Sequence, residues 1–259
     1  MLKEFFTAAL GMLNQQTRLE VTANNMANAN TTGFKRQGVF ERNLIDARAN
    51  FYNVKGDVEQ NDPPIGSYTV FEAGSFQQTD NPLDLAIQGD GFFVLKDIEG
   101  KDYLTRAGNF TINTDGEIIA KDGKKLQGYG GDLVIPKEFL ISKEGFTDFK
   151  SVDIKITENG HVFANNREIG TIIIAKPQDN NTIQRISNQH FIAKWMADVE
   201  PVNPDDVVIK QGWIEGSNVN VVKEMVELIE LQRMFEAGSK VIATNDSTLD
   251  KSIAIGRYQ

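Results

Sequence analysis

LKEFFTAALGMLNQQTRLEVTANNMAN, residues 2–28, is the stretch whose periodicity decides how the chain is built. It contains no proline and only Gly11 as an interior breaker, and Phe5, Met12, Leu19 and Met26 recur every seven residues. Ala9 and Ala23 stand four residues after Phe5 and Leu19. The apolar stripe therefore has the width of a coiled-coil seam rather than that of a globular helix face. The far end of the chain repeats the pattern. Val221, Leu228, Phe235, Ile242 and Leu249 are again seven apart, reinforced by Val222, Met225, Ile229 and Leu231. Asn218 or Asn220 can cap this second helix, Glu230 to Arg233 and Glu236 to Lys240 have the spacing of helical ion pairs, and Gly256 lies beyond its expected end.

Between the helices the character changes. From about Leu83 to Ala197, short runs such as Phe92-Phe93-Val94-Leu95 and Thr171-Ile172-Ile173-Ile174 read as strands, separated by Asp-Gly, Asn-Gly and Gly-Gly pairs. Asp115-Gly116, Asp122-Gly123 and Asn159-Gly160 predict hairpins closed by type I′ turns. The segment from Lys35 to Asp80, with Pro63-Pro64 and neither period sustained, reads as an extended connector with a strand near Tyr68 to Phe71. The expected fold class is α+β: long N- and C-terminal helices forming a coiled-coil-like domain, with an inserted antiparallel all-β domain. The expected parts are an N-terminal helix over residues 1–34, a connector over 35–80, the β domain over 81–205, and a return segment with the C-terminal helix over 206–259.

The 259 residues carry a formal charge of −9, and the only basic cluster, Lys35-Arg36, neutralises too few phosphates for a nucleic-acid partner. That pair reads as a solvated turn. Absence of cysteine excludes disulfides, thiolate nucleophiles and zinc ribbons. No stretch approaches the ~20 apolar residues of a membrane span, and the start of the chain lacks the apolar core of a secretory signal, so export is expected to proceed without a cleaved signal peptide.

Candidate chemistry is thin. Gly89-Asp90-Gly91 lacks the third glycine of a dinucleotide loop, Val94 standing in its place, and reads as a turn before a buried strand. Around Asn113, Asp115 and Gly116 a calcium loop would need Thr111 as its first ligand and Asp122 as its last, which does not fit. His161, after the Asn159-Gly160 turn, reads as an exposed edge residue, and His190 precedes Phe191 in a polar stretch. No cofactor, metal site or catalytic residue is expected. Asn24, Asn25, Asn28 and Asn30 together oppose helix by about 2 kcal/mol. Either they terminate the helix, or their amides pair with those of a neighbouring copy, since an amide both donates and accepts.

The run from Thr22 to Arg36, TANNMANANTTGFKR, resembles the N-terminal signature of the flagellar rod and hook family. Two further blocks are similar: Gly74 to Phe93, with Asn81-Pro82-Leu83-Asp84-Leu85-Ala86-Ile87 before Gly89-Asp90-Gly91-Phe92-Phe93, and Glu215 to Asp246, with Ser217-Asn218-Val219-Asn220, Leu231-Gln232-Arg233 and Phe235-Glu236-Ala237. The resemblance implies a structural subunit of the bacterial flagellar basal-body rod, without enzymatic activity. It would be exported uncleaved through the type III apparatus and assemble helically with copies of itself and other axial proteins into the shaft that transmits torque. Within the family the chain is similar to the proximal and distal rod paralogues. The stretch from Asn43 to Gly66 lacks a Leu-Pro-Ser-Gly-type segment common in distal rod proteins, which favours the proximal rod. The expected assembly interface is Phe5, Met12, Leu19, Asn24, Asn25, Met26, Asn28, Asn30, Val221, Leu228, Phe235, Ile242 and Leu249. The competing readings are a secreted ligand-binding or hydrolytic β domain and a transient rod assembly scaffold.

Overall fold

The computed structural model describes residues 2–41, 65–140, 152–179, 182–193, 199–204 and 207–256. Its helices are α1 (Leu2–Ala27), a single turn α2 (Lys137–Leu140) and α3 (Val221–Gly256), set against nineteen strands among the described residues. The expectation of long terminal helices wound as a coiled-coil domain is corrected by this count and by burial. One helix stands at each end of a chain built largely from strands, and the period-seven positions do not form a closed seam. Val221, the first residue of α3, is 39% exposed, whereas among the described side chains of that helix the buried ones are Glu224 and Leu231. A seven-residue repeat reports that apolar side chains share a line; it carries no information on whether a partner covers that line.

By contacts the chain divides into two units. The first takes Met1–Ala29, Arg36–Val70 and Val219–Gln259. Here α1 and α3 lie antiparallel: Asn25 near the end of α1 bonds Glu224 near the start of α3, while Met12 packs on Gly238, where an added Cβ would sit 3.3 Å from Met12 Cγ. Asn220 caps α3, its Oδ1 accepting from the Lys223 N–H at 3.1 Å. The helix runs to Gly256, the residue expected to follow it. Strands β1 (Gln37–Glu41) and β2 (Ile65–Thr69) pair in this unit with Gly38 opposite Tyr68 and Phe40 opposite Gly66. Each ring covers the facing glycine so closely that a Cβ on Gly38 would lie 2.5 Å from Tyr68 Cζ. The connector over 42–64, Pro63-Pro64 included, lies outside the described residues.

The second unit takes Asn30–Lys35 and Phe71–Asn218. Every strand pairing in it is antiparallel. Its main sheet runs β15 (Ile183–Arg185), β16 (His190–Ala193), β6 (Asp102–Thr105), β5 (Phe92–Lys96), β9 (Lys125–Gly128), β8 (Ile118–Ala120) and β7 (Phe110–Ile112). Strand β10 (Gly131–Asp132) adds to β9, and β14 (Ile174–Pro177) joins β5 to β17 (Val199–Pro201). A three-stranded sheet orders β11 (Ile154–Ile156), β12 (His161–Ala164) and β13 (Arg167–Thr171). Two ribbons pair β18 (Val208–Gln211) with β4 (Leu85–Gln88) and β19 (Trp213–Glu215) with β3 (Phe76–Gln78). Strand β5 serves two cores because alternate side chains face opposite ways. Phe93 and Leu95 enter the large one, while Phe92 packs with Leu104, Ala175 and Phe191 in the small one.

Two local expectations are corrected. Hairpins form at Asp115-Gly116, Asp122-Gly123 and Asn159-Gly160, but not through type I′ turns. Only the glycines have positive φ, and each glycine N–H closes a turn onto the carbonyl three residues back, Asn113, Ala120 and Thr157. Glycine therefore occupies the left-handed fourth position of a type I turn with a bulge. The type I′ pattern occurs instead at Asn165-Asn166, φ +50° and +66°, joining β12 to β13. Thr171 to Ile174 is not one strand: β13 ends at Thr171, β14 begins at Ile174, and buried Ile172 makes an isolated bridge to Gly128.

Candidate functional site

Residues 30–35, the end of the signature, insert into the β unit. Gly33 has φ +67°, and a Cβ there would meet Ala107 N at 2.3 Å, so only glycine lets the two backbones pass. Its N–H donates to the Glu215 carbonyl at 2.8 Å. Phe34 is fully buried, with the Arg185 guanidinium 4.7 Å from its ring centroid and 5.0 Å from that of Phe191. Arg185 donates to the Lys35 carbonyl through Nη2, and burial pushes its guanidinium down to about 10.

Lys35 follows, and the solvated turn expected for Lys35-Arg36 is corrected here. Lys35 and Glu215 are each 1% exposed, and Lys35 Nζ donates to Glu215 Oε1 at 2.6 Å and to the Glu72 carbonyl at 2.8 Å. Glu215 also accepts from Arg106 Nη1 at 3.3 Å and from the Gly74 N–H at 2.9 Å. Arg106, itself buried, reaches the Gly89 carbonyl at 2.7 Å, which gives Gly89-Asp90-Gly91 its role as a backbone acceptor at the bend between β4 and β5. Desolvation holds the Lys35 ammonium below its ordinary range against the opposing pull of Glu215, and Arg106 behaves likewise.

The next residue makes an equivalent contact within the helical unit. Arg36 Nε donates to Glu224 Oε1 at 2.6 Å, and that hydrogen bond raises the guanidinium pKa above its ordinary value. Asn25 completes the cluster: its amide donates to Glu224 Oε2 at 3.2 Å and to the Gln37 carbonyl at 2.9 Å, and its Oδ1 accepts from the Gln37 N–H at 2.9 Å. Asn28 Nδ2 donates to the Asn24 carbonyl at 2.9 Å. Two members of the asparagine tract are thus buried and satisfied inside one subunit, while Asn24 and Asn30 are exposed. Of the other interface candidates, Met12, Leu19, Met26, Leu228, Phe235 and Ile242 are half-buried and Val221 is exposed, while the side chains of Phe5 and Leu249 lie outside the described residues.

Neither histidine sits as its sequence suggests. His161 stands on the central strand β12, not an edge, with Nδ1 3.0 Å from Glu168 Oε1 and 2.9 Å from Thr171 Oγ1. His190 is only 8% exposed, with Nδ1 2.9 Å from Ser187 Oγ and Nε2 3.4 Å from Asp122, and burial lowers its pKa. Asn113 spends its Oδ1 on the N–H groups of Asp115 and Glu117 within the turn. Sequence reasoning missed Lys35, Arg106, Glu215 and Glu224. The signal for three of them lay in the blocks that resemble known proteins: Lys35 is the penultimate residue of the N-terminal signature, and the C-terminal block opens on Glu215 and includes Glu224.

What these clusters offer is charge pairing of Lys35 and Arg36, near the start of the sequence, with Glu215 and Glu224, near its end, so that the chain returns on itself with the β unit between. Known proteins agree. The description "Flagella basal body rod protein" matches residues 6–35, "Flagellar hook protein FlgE/F/G D1 domain" matches 86–164, and "Flagellar basal body rod FlgEFG protein C-terminal" matches 210–255. The flagellar basal-body rod protein FlgG of Caulobacter vibrioides is 33% identical over 261 residues, covering 94% of this chain and 95% of that protein. FlgG of Agrobacterium fabrum is 34% identical over 261 residues, covering 92% and 94%. The rod protein FlgF of Buchnera aphidicola subsp. Schizaphis graminum is 29% identical over 251 residues, covering 95% and 94%. The chain belongs to the flagellar basal-body rod protein family. It is a structural subunit of the rod in the flagellar basal body and assembles with other axial components.

Proposed function

We propose that this subunit stacks helically into the distal rod and passes torque through shared helix packing, without catalysing a reaction. The observation that carries the assembly reading is a second apolar line on α3. Val222, Met225, Val226 and Ile229 are all substantially exposed on one side of the helix, and Met234 and Val241, seven residues apart, are exposed on an adjacent side. Exposed contiguous apolar surface on a soluble chain marks a partner surface. Neighbouring copies cover this line together with the exposed amides of Asn24 and Asn30, while Met12, Leu19, Met26, Leu228, Phe235 and Ile242 share their burial between the subunit and its neighbours. Phe5 and Leu249 extend the same helices. Export occurs through the flagellar type III apparatus.

FlgG is the distal rod protein, and identities of 33% and 34% to two FlgG chains support the distal position over the proximal one favoured by the connector between Asn43 and Gly66, while other FlgG relatives at 24% to 29% overlap the 29% of FlgF. Electron cryotomography of motors from a deletion strain tests this. A rod that assembles its proximal part and stops short of the hook is expected; a rod missing from its base would return the subunit to the proximal position.

A further inference from the structure

Apolar packing alone sets the register of α1 on α3 only loosely. Among the described side chains, α3 buries Glu224 and Leu231, and half-buried Gly238 continues the same line seven residues further on. On α1 the buried side chains are Thr22 and Asn25, both polar, while Met12, Leu19 and Met26 are half-buried. Leu231 is thus the one large apolar side chain fully enclosed among the described residues of the two helices. The apolar lines of both helices repeat every seven residues. Sliding one helix past the other by that repeat, about 10 Å at 1.5 Å per residue, sets apolar against apolar again.

The polar contacts do discriminate. Glu224 Oε2 accepts from Asn25 Nδ2 at 3.2 Å, and Oε1 accepts from Arg36 Nε at 2.6 Å. A seven-residue slide in one direction puts Leu231 opposite Asn25 and Gly238 opposite Leu19, and carries Glu224 past the end of α1 at Ala27. In the other direction Glu224 comes opposite Arg18, and Asn25 runs off the start of α3 at Val221. The native register alone gives the carboxylate both of its donors.

We infer that Glu224 is a positioning residue for assembly: it sets α1 and α3 in register and so fixes which apolar side chains the pair turns outward together. The inference rests on the rod-subunit reading above. A buried polar contact selects one register of paired helices at some cost in stability. A neighbouring copy that packs on both helices meets Leu13 of α1 and Val222, Met225, Val226 and Ile229 of α3, all exposed, at matched heights in one register and not in another.

The chain has no cysteine, so paired cysteines can read the register in full-length monomer. A Cβ added at Gly238 sits 3.3 Å from Met12 Cγ, within disulfide reach. Met12→Cys with Gly238→Cys therefore reports the native register, and Leu19→Cys with Gly238→Cys the slid one. Glu224→Met removes the carboxylate and leaves no bare charge: Asn25 keeps its bonds to Gln37, and Arg36, 28% exposed, keeps Glu227 at 3.6 Å. In Glu224→Met the slid pair is expected to form a disulfide about tenfold more than in the parent. Its helices should persist by circular dichroism and its melting should stay close to the parent's, while swarming falls. Glu224→Gln, which can still accept from both donors, should behave as the parent does. Cross-linking confined to the native pair in Glu224→Met would overturn the inference, and so would loss of its helices, which would make Glu224 a support of the fold instead. Both results leave the rod role intact, whereas absence of the unmodified chain from purified basal bodies would remove the rod reading itself.

Discussion

Glu215 receives two cations, Lys35 and Arg106, in an interior where each would be costly alone. Removing the carboxylate leaves both without their counter-charge, and breaking a buried pair in this way costs about 3–5 kcal/mol. Glu215→Ala is therefore expected to destabilise the β unit by that order in urea unfolding. Lys35→Met should cost less, because Arg106 and the Gly74 N–H still serve the carboxylate. Equal losses for the two variants would show that packing around Phe34, rather than the desolvated charges, holds the segment.

His190 gives the β unit a dependence on pH. Its folded pKa lies below the ordinary 6.5 because burial outweighs the attraction of Asp122, with Lys124 adding to the depression. The unfolded chain therefore binds the proton first, and stability present above about pH 6.5 is lost as pH falls towards the folded value. Melting at pH 7.5 and pH 5 measures this. His190→Gln should flatten the drop between the two, and an unchanged drop would assign it to other groups.

At the scale of elements, the two long helices were legible and their packing was not. Phe5 to Met26 and Val221 to Leu249 announce helix because a seven-residue line of apolar side chains has no other use. The face that meets α1 also uses Glu224 with Asn25 and Gly238 with Met12, a polar and a small residue that no hydrophobic pattern singles out. The hairpins were legible for a similar reason, since glycine marks a left-handed position without saying which position of the turn it fills; Asn165-Asn166 lacks glycine and went unread. Lys35 was illegible because two adjacent basic residues look alike in sequence, although each is drawn to a different buried carboxylate. The exposed line on α3 yields a prediction at this scale. Val222→Lys with Ile229→Lys alters surface positions, so monomer stability should shift by no more than about 0.5 kcal/mol at each. Circular dichroism should show the helices intact while rods fail to form and swarming stops; normal swarming would acquit that face.

At the scale of the whole molecule, the ion pairs bear on when the chain can fold. Lys35 meets Glu215 across 180 residues of sequence, and Arg36 meets Glu224 across 188. Hairpins such as β7 with β8 need only a few neighbours and can form as soon as they are made, but contacts this distant carry the loop-closure cost of most of the polypeptide and come late. Through most of synthesis the signature segment thus has no site to enter, Lys35 stays in water, and the first helix lacks the partner that makes it worth forming. The finished subunit snaps shut only when its last fifth has emerged, so an unfinished chain remains pliable and threadable, a timing device written into the order of the residues.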